Sequence, residues 1–555
     1  MNAAAALLAI LRAEGVRYLF GNPGTTELTF LDALPDSGLD YVLGLQEATA
    51  VAAADGYAQA SGQIAVVNLH VLPGVANGAA ILQNAARSRS PLLVTAGQQD
   101  SRLLFEEPIL AGDMVGLTAP LTKWAYEVRS ADEAPAALRR ALKVARTSPT
   151  GPVFLSLPMD LMTGEVDDDG GAAPRVVTAA RPDEATITRA ADLLGGAQAP
   201  VIVAGDGVAR AGAMLELVAL AERLGAAVHG EPLYRRTSFP GTHPLWRGGL
   251  FPTASGARKT LESADVILLV GAAAFALFLQ TPGRPFPSGV PVVHIDVDPW
   301  QIGKSHRVDV GLVADPRAAL HALDQVLAQT MTAAQREEAA SRSRKLAGVR
   351  ATYAARVRAA AEAEADHLPI SPAFLFHTLA GLVPEDVVIV DESASSLPFV
   401  LRYLPFAAAG SFFGSKTGTL GWGMGAAIGV QLASPGRKVV ATIGDGSVMY
   451  APQALWTAAH RGLPITYVVA NNASYAILKS GMISLALPSA KRGVYPGMDI
   501  VAPEIDYVRL ARALGVRAER VEKPAVLRDV LASCLSHDDP TLVDVAIDRS
   551  VKGML

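Results

Sequence analysis

Two polar segments in the last third of the chain have the residue types of a magnesium site. Gly444-Asp445-Gly446-Ser447 follows an apolar run, and Asn472 and Ser474 follow the next one. The carboxyl ends of parallel strands meet at one edge of a sheet, where α/β proteins bind ligands. Asp445, Asn472 and a backbone carbonyl near Ser474 supply oxygens, and Mg²⁺ takes its other ligands from phosphate and water. The spacing therefore predicts a metal site that holds a diphosphate, with turn capping as the alternative.

The glycine in the first segment suits the same ligand. Gly446 lets the backbone approach a phosphate, and the helix that follows offers free N–H groups at its N-terminus. A second Gly-Asp-Gly, at Gly205-Asp206-Gly207, follows a strand-like run in the middle of the chain, but no Asn-Asn pair comes after it. We interpret this second segment as an ordinary strand-end turn. The prediction therefore depends on the combination of both segments and not on Gly-Asp-Gly alone.

The elements that position these residues are short apolar runs that alternate with segments of helix length. Many runs are rich in Val, Ile and Leu without strict alternation, as in strands that are covered on both faces. This pattern is typical of α/β proteins with doubly wound parallel sheets. Composition shifts divide the chain into three such domains, at 1–166, 183–330 and 369–555. We expect a linker at 167–174 and a solvated helical connection at 332–366.

Composition excludes several classes of function. The 555 residues carry a net charge of −5, whereas nucleic acid or an acidic membrane favours a basic partner. The one cysteine, Cys534, cannot form an internal disulfide or a thiolate metal cluster, so a reducing compartment is expected. The longest apolar run, 266–279, is too short to cross a bilayer, and the N-terminus lacks a basic export signal. We therefore expect a cytoplasmic protein without a nucleic-acid or membrane partner.

Further motifs in the first and last domains carry a family resemblance. They are Gly21-Asn22-Pro23-Gly24-Thr25-Thr26-Glu27, Leu45-Gln46-Glu47-Ala48, Ala54-Asp55-Gly56-Tyr57-Ala58, Asn68-Leu69-His70, Thr95-Ala96-Gly97-Gln98-Gln99, Ala427-Ile428-Gly429-Val430-Gln431-Leu432 and Ala454-Leu455-Trp456-Thr457-Ala458-Ala459. Together with the paired magnesium segments they resemble thiamine diphosphate enzymes, and the benzoylformate decarboxylases in particular. The resemblance covers nearly the whole chain. It implies a pyrimidine-binding, a central and a diphosphate-binding domain, in that order.

The resemblance gives Glu47 the role of activating the cofactor. A carboxylate that is hydrogen-bonded to the pyrimidine ring promotes the imino tautomer, which takes up the thiazolium proton. Glu47 follows an apolar strand and begins a helix, so we expect it to be buried and its proton to stay shareable. A first-turn Glu that interacts favourably with the helix dipole is the alternative.

The remaining cofactor contacts are also implied by the resemblance. Leu420 is expected to separate the two rings of the bent cofactor, and the Gly418 carbonyl to accept a hydrogen bond from its amino group, with a plain helix entry as the alternative. The expected cofactor-binding residues are Asn22, Pro23, Gly24, Glu47, Ala394, Ser395, Gly418, Leu420, Gly444, Asp445, Gly446, Ser447, Asn472, Ser474, Tyr475, Ala476 and Ile477. Asp445, Asn472 and Ser474 are the expected Mg²⁺ ligands.

Two residues of the first domain are expected to face the substrate. Thr25 stands where the resembled family has a substrate-binding serine, and it keeps the hydroxyl. His70 follows a strand and precedes a predicted turn at Pro73-Gly74. By resemblance it moves protons to and from the substrate, and helix capping or packing is its alternative.

Other positions of the expected pocket depart from the family pattern. The family's second active-site histidine has no counterpart in the segment 271–279, where Phe278 is the nearest residue. Ile477 adds a branched side chain, and Gly481 removes aromatic bulk. Activation of the cofactor is therefore expected to survive, whereas the preferred substrate is expected to differ.

These features predict non-oxidative decarboxylation of a benzoylformate-like 2-oxoacid to an aldehyde, with thiamine diphosphate and Mg²⁺. The same chemistry allows carboligation to an aldehyde acceptor, which gives a 2-hydroxyketone. An acetolactate synthase-like condensing enzyme, many of which bind flavin, is one alternative. A cofactor-binding protein with reduced catalysis is the other. The resemblance also implies a homodimer at least, with a homotetramer expected, because such enzymes bind the cofactor between two subunits.

Overall fold

The described part of the chain forms three six-stranded parallel sheets with helices on both faces. The computed structural model describes residues 1–168, 170–176, 181–273, 275–551 and 553, so Asp169 of the expected linker and Ala274 of the segment 271–279 lie outside it. The predicted fold class, three doubly wound α/β domains, is confirmed. Two compact units are present: Met1–Val176 with Ala365–Val400 and Gly414–Leu555, and Val177–Glu364 with Leu401–Phe413.

The first sheet has the strand order β2-β1-β3-β4-β6-β5. Its strands are β1 (Tyr18–Gly21), β2 (Asp40–Leu43), β3 (Ala65–Leu69), β4 (Leu92–Gln98), β5 (Ala125–Glu127) and β6 (Val153–Pro158). The helices are α1 (Ala3–Ala13), α2 (Leu28–Asp32), α3 (Glu47–Ser61), α4 (Val71–Ser88), α5 (Met114–Thr118) and α6 (Ala134–Arg146). The strands β3, β4 and β6 are buried along their whole length, as expected of strands covered on both faces.

The central sheet has the order β12-β11-β10-β7-β8-β9, which is the order of dinucleotide-binding domains. Its strands are β7 (Pro200–Ala204), β8 (Ala227–Gly230), β9 (Trp246–Gly249), β10 (Val266–Val270), β11 (Val292–Asp296) and β12 (Val310–Val313). The helices of this unit are α7 (Glu184–Gly195), α8 (Asp206–Arg210), α9 (Met214–Leu224), α10 (Ala254–Leu261), α11 (Pro316–Thr330) and α12 (Ala333–Glu362). The second Gly-Asp-Gly thus leads directly from β7 into the short helix α8.

The third sheet has the order β14-β13-β15-β16-β18-β17. Its strands are β13 (Val388–Glu392), β14 (Phe412–Gly414), β15 (Val439–Gly444), β16 (Ile465–Asn471), β17 (Arg517–Val521) and β18 (Thr541–Ala546). The helices are α13 (Pro372–Ala380), α14 (Leu397–Tyr403), α15 (Trp422–Ala433), α16 (Asp445–Val448), α17 (Gln453–His460), α18 (Ala476–Ser484), α19 (Pro488–Lys491), α20 (Tyr507–Ala513) and α21 (Pro524–Leu535). Among the described residues, no helix is both long and apolar enough to cross a membrane.

Helices α3 and α15 join the first and third sheets within one compact unit. Both helices are rich in Ala and Gly, so their backbones approach each other closely. A Cβ on Gly425 would lie 2.8 Å from the Ala52 Cβ, and one on Gly429 would overlap the Ala53 carbonyl oxygen. The side-chain-free positions are therefore what allows the two sheets to pack together.

Substitution of Gly429 by Ala is expected to destabilise this helix pair. The added methyl forces the α3 and α15 backbones apart, and overpacking of this kind costs about 1–3 kcal/mol. Urea unfolding followed by circular dichroism measures the change. Gly348→Ala is the control, because a Cβ there meets nothing within 4 Å. Alanine in that exposed helix interior is expected to raise stability by about 0.5–1 kcal/mol. Equal effects of the two substitutions would contradict the close-packing argument.

Candidate active site

Glu47 is buried at the first residue of α3 and is clamped by two amide side chains. Gln46 forms the N-cap of this helix and accepts a hydrogen bond from the Thr49 N–H, 3.2 Å away. The Asn22 amide donates to Glu47 Oε1 at 3.1 Å, and the Asn77 amide donates to Oε2 at 3.0 Å. Glu47 itself is 8% exposed. Both donors are neutral, so the clamp orients the carboxylate without an ion pair.

The first turn of α4 closes one side of Glu47. A Cβ on Gly74 would lie 3.4 Å from Glu47 Cγ, so this glycine brings the helix into contact with the carboxylate side chain. Asn77 follows Gly74 by one helical turn and reaches the same carboxylate. Sequence reasoning missed Asn77, and its spacing from Gly74 was the available signal.

His70 is paired with a second buried carboxylate, Glu27. Its Nδ1 lies 2.8 Å from Glu27 Oε2, and Glu27 is 1% exposed. Glu27 also accepts hydrogen bonds from the Gly97 N–H at 2.8 Å, the Gly24 N–H at 3.0 Å and the Thr26 hydroxyl at 2.8 Å. An ionised carboxylate can only accept, so this network assigns the ring proton to Nδ1 and leaves Nε2 of the neutral ring to accept a proton.

Several neighbours confine the Glu27–His70 pair. A Cβ on Gly24 would overlap the His70 ring, so the Asn-Pro-Gly segment passes directly over the imidazole. Burial, and secondly the negative charge of Glu27, raise the pKa of the Tyr41 hydroxyl. The first sequence motif contains Glu27, but its contact with His70 is not predictable from that motif. Thr25 begins the short 3₁₀ helix that ends at Glu27, and its side chain is exposed.

The predicted turn at Pro73-Gly74 was wrong. His70 is the N-cap residue of α4, without a side-chain cap bond, and Pro73 and Gly74 lie in the first turn of that helix. Proline is tolerated there because its missing N–H would have no partner within the helix. Val71, the buried residue directly after His70, has φ +37°, an unusual conformation for a β-branched residue. Strained backbone of this kind often occurs at functional sites.

The magnesium segments converge at the carboxyl ends of β15 and β16. The Ser474 N–H lies 3.2 Å from Asp445 Oδ2 and 3.1 Å from Asn472 Oδ1, so a single donor holds both predicted ligand oxygens. All three residues are buried. Burial raises the pKa of Asp445 to about 6. The Tyr507 hydroxyl donates to the Asp445 carbonyl at 2.9 Å and fixes its backbone.

This oxygen set fits Mg²⁺ better than a transition metal. No group of three or more His, Cys, Asp or Glu side chains that could hold a metal ion occurs among the described residues. Asp445 contributes a single carboxylate, so a cation here needs amide and carbonyl oxygens together with phosphate and water. Mg²⁺ binds in this manner, and it would neutralise the buried Asp445 carboxylate.

Backbone segments around Asp445, Asn472 and Ser474, the predicted metal ligands, fit a phosphate group. Ala394 and Ser395 form a 3₁₀ turn after β13, and Ser395 Oγ lies 3.5 Å from the Asn472 amide nitrogen. A Cβ on Gly446 would lie 2.6 Å from the Tyr475 ring, so only glycine fits beside that ring. Gly444 and Ser447 flank Asp445 at the start of α16.

Glu392 at the end of β13 is a further buried acid that the sequence reasoning did not identify. Its carboxylate accepts from the Gly421 N–H at 2.6 Å and from the Gly423 N–H, at the N-terminus of α15. Burial raises its pKa to about 8. Because Gly421 follows Leu420 and is the N-cap residue of α15, Glu392 holds the C-terminal end of the segment that contains Gly418 and Leu420. Gly418 in this segment has φ +73° and is exposed, and Leu420 is half-buried.

The remaining pocket residues lie on α18 and in the other unit. Tyr475 is the N-cap residue of α18, which Ala476 begins. Ile477 and Gly481 are four residues apart on this helix and therefore share a face. Phe278 belongs to the other compact unit and is 56% exposed. Asn22, Pro23 and Gly24 follow β1, so the candidate residues of the compact unit that contains both outer sheets all lie at the carboxyl ends of strands.

Comparison with known proteins matches all three domains to profiles of one family. The profile "Thiamine pyrophosphate enzyme, N-terminal TPP binding domain" matches residues 1–109, the central-domain profile matches 187–323, and the "C-terminal TPP binding domain" profile matches 394–545. Benzoylformate decarboxylase of Pseudomonas aeruginosa is 35% identical over 539 residues, which cover 97% of each chain. Acetolactate synthase isozyme 3 large subunit of Escherichia coli is 29% identical, over 97% of this chain and 93% of its own.

A solved structure has the same fold over the full length. It is the thiamine diphosphate-dependent 4-hydroxybenzoylformate decarboxylase of Rhodococcus jostii RHA1, with a TM-score of 0.87 and 32% identity. The match covers 99% of this chain and 100% of the other.

The metal-site loop offers a test of its backbone strain. Ala473, between the two predicted ligands Asn472 and Ser474, has φ +48°. An L-residue in this region costs about 1–2 kcal/mol relative to glycine, so Ala473→Gly is expected to raise the free energy of unfolding by about 1 kcal/mol. Thermal unfolding of the cofactor-free protein measures it. Ala458→Gly, in the interior of α17, is the control and is expected to lower stability by about 0.5–1 kcal/mol. A loss of stability in both variants would contradict the strain.

Proposed function

Because the chain belongs to the thiamine pyrophosphate enzyme family, we propose that it decarboxylates a 2-oxoacid to an aldehyde, with thiamine diphosphate and Mg²⁺ as cofactors. The observation that carries this proposal is the environment of Glu47, which is buried after the end of a strand. Among the described residues, only the neutral amides of Asn22 and Asn77 bind its two carboxylate oxygens. When bound, the cofactor supplies the electron sink that loss of CO₂ requires.

The residues that would hold the cofactor divide between the two outer domains. Asp445, Asn472 and the Ser474 carbonyl would bind Mg²⁺, and the backbone around Gly446 would bind the diphosphate. Gly418 and Leu420 would contact and bend the ring system. Asn22, Pro23, Gly24 and Glu47 would contact the pyrimidine. Ala394, Ser395, Gly444, Ser447, Tyr475, Ala476 and Ile477 complete the proposed cofactor-binding set.

Glu47 would share a proton with a ring nitrogen of the bound pyrimidine. The amides of Asn22 and Asn77 hold its two carboxylate oxygens, and no ion pair is among its described contacts. A buried carboxyl group in a fixed orientation is what a general acid–base residue requires.

His70 would carry the substrate proton. Glu27 holds the ring through Nδ1, which leaves Nε2 to accept or donate a proton on the opposite side. Thr25 follows β1 and His70 follows β3, and these two strands are neighbours in the first sheet. Both residues are proposed as the polar side of the substrate pocket. Ile477 and Gly481 are proposed as its apolar side, and Phe278 remains a sequence-based prediction.

A condensing reaction of the acetolactate synthase type is the second candidate, supported by the relatives of that name. The central domain argues against the flavin that many such enzymes bind. Its strand order puts the ligand crevice between the ends of β7 and β10, but Gly205 packs against Ala272 there and a Cβ on Gly207 would lie 2.6 Å from Gly271 Cα. The loops that follow β7 and β10 therefore pack directly against each other at the crevice, and this weighs against a dinucleotide there.

The proposed assembly is a homodimer or homotetramer located in the cytoplasm, in which first and last domains of different subunits hold one cofactor. Exposed apolar side chains after β4, including Phe105 at 92% and Ile109 at 81% exposure, support a surface that a second copy covers. Light scattering after size exclusion measures the mass of the assembly.

A panel of aromatic and aliphatic 2-oxoacids, with added thiamine diphosphate and Mg²⁺, tests the proposed reaction. We expect CO₂ release and an aldehyde, and 2-hydroxyketones when an acceptor aldehyde is present. Acetolactate from pyruvate alone would instead favour the condensing enzyme. Tight cofactor binding without CO₂ release from any acid would favour a protein with reduced catalysis.

Glu47→Gln is expected to bind the cofactor but to lose most activity. Glutamine keeps the size of the side chain and cannot share a proton, so kcat is expected to fall by about 10²–10⁴-fold, the usual contribution of general acid–base catalysis. Steady-state kinetics at saturating cofactor give kcat, and calorimetry gives the cofactor affinity. Turnover near that of the wild type would remove Glu47 from the mechanism.

Glu27→Gln is expected to change the tautomer of His70. The amide would donate to Nδ1, which moves the ring proton to Nε2, so kcat should fall about 10²-fold while cofactor affinity is kept. Steady-state kinetics of the two proteins give kcat, and calorimetry gives the cofactor affinity. Tyr41→Phe is the control: it removes a buried hydroxyl without a hydrogen-bond partner beside the same carboxylate. An equal loss of kcat in this control would contradict a specific role for the pair.

A further inference from the structure

A second carboxylate on α3, Asp55, forms a hydrogen-bond centre between the first and third sheets. It is fully buried, and it accepts from the Gln59 amide at 3.1 Å to each oxygen, the Asn84 amide at 2.9 Å, the Ser90 hydroxyl and the Trp422 indole at 2.7 Å. Burial raises its pKa, and the four donors oppose that shift. All of these donors are neutral side chains.

Asn84 connects this centre to a loop of the third domain. Its amide nitrogen donates to Asp55, and its Oδ1 accepts from the Lys416 N–H at 2.8 Å, the Thr417 N–H at 3.2 Å and the Ser415 hydroxyl at 3.2 Å. Asn84 is fully buried. One amide group therefore donates to a carboxylate on α3 and accepts from the backbone of the segment that follows β14.

The segment 415–420 also has short-range hydrogen bonds among its own residues. The Thr417 and Thr419 hydroxyls lie 2.6 Å apart, and the Ser415 hydroxyl lies 3.3 Å from the Thr419 carbonyl. Gly418 at its tip has nothing within 4 Å of its Cβ position. The two loop amides bound by Asn84 thus fix the N-terminal half of the segment, as Glu392 fixes the N-terminus of α15 that follows it.

We infer that Asp55 and Asn84 are positioning residues, which hold the segment 415–420 in the shape that contacts the cofactor rings. The inference rests on the proposed function, because Gly418 and Leu420 act on the cofactor only in that proposal. Asp55 orients Asn84, and Asn84 orients the loop backbone. Helix α3 begins at Glu47 and also carries Asp55, so it positions both the activating carboxylate and the loop of the same chain.

Asn84→Ala in the full-length protein tests the link to the loop. We expect amide hydrogen exchange at Lys416 and Thr417 to become at least tenfold faster in the cofactor-free protein. We also expect the dissociation constant for thiamine diphosphate, measured by calorimetry at saturating Mg²⁺, to rise at least tenfold while the KM for the 2-oxoacid changes less than twofold. Thr417→Val removes the hydroxyl that is bonded to Asn84 at 3.3 Å and to the Thr419 hydroxyl at 2.6 Å, and keeps the backbone bonds to Asn84; it is expected to shift affinity in the same direction by a smaller factor.

Ser90→Ala is the matched control. It removes a donor to the same Asp55 oxygen that Gln59 binds, and it leaves the bonds between Asn84 and the loop in place. We expect lower stability with exchange at Lys416 and cofactor affinity within twofold of the wild type. Equal shifts in Ser90→Ala and Asn84→Ala would show that the centre only stabilises the fold, and this overturns the inference.

The outcomes separate the inference from the proposed function. Unchanged cofactor affinity in both Asn84→Ala and Thr417→Val overturns the inference, even if loop exchange accelerates. If the wild-type protein itself fails to bind thiamine diphosphate, the proposed function fails, and the inference fails with it. If the wild type binds the cofactor and releases CO₂ but Asn84→Ala behaves like the wild type, only the inference is overturned.

Discussion

The close contact between α3 and α15 is the constraint on which the proposed active site depends. Gly425 and Gly429 allow two helix backbones from different sheets to approach until their main-chain atoms touch. The first residue of α3 is Glu47, and α15 begins directly after Gly421. Because the interior is close-packed, a shift of one helix displaces the other. One helix pair therefore fixes the positions of both Glu47 and the segment 415–420.

Buried carboxylates bound by neutral donors recur throughout this unit. Glu47, Asp55 and Glu392 each accept from amides, hydroxyls, an indole or backbone N–H groups. Such burial is unfavourable for a charge, and the raised pKa values of Asp55 and Glu392 reflect it. Where the same arrangement occurs at a strand end, it leaves a group that can exchange a proton or accept a cation. Asp445 at the proposed metal site is an example, and burial raises its pKa as well.

The sequence was sufficient for the fold class, because strands covered on both faces leave continuous Val- and Ile-rich runs such as β10. It also predicted that Asp445 and Asn472 lie close together, since they follow neighbouring strands of one sheet; that they bind a metal stays a prediction. It could not locate Asn84 or Glu27, because their partners Thr417 and His70 are distant in sequence and only packing brings them together. The error at Pro73-Gly74 has a local cause: both residues are turn formers, yet proline also suits the first turn of a helix.

The Glu27–His70 pair bears on the choice between aldehyde release and condensation. A site that must return a proton to carbon after CO₂ leaves needs a proton carrier with a fixed orientation, and Glu27 provides that orientation through Nδ1. A condensing site instead needs room for a second carbonyl compound before any proton arrives. Gly481, one turn beyond Ile477 on α18, places no side chain on that face of the helix. The oriented histidine and this position without a side chain support the proposal of a decarboxylase that also tolerates an aldehyde acceptor.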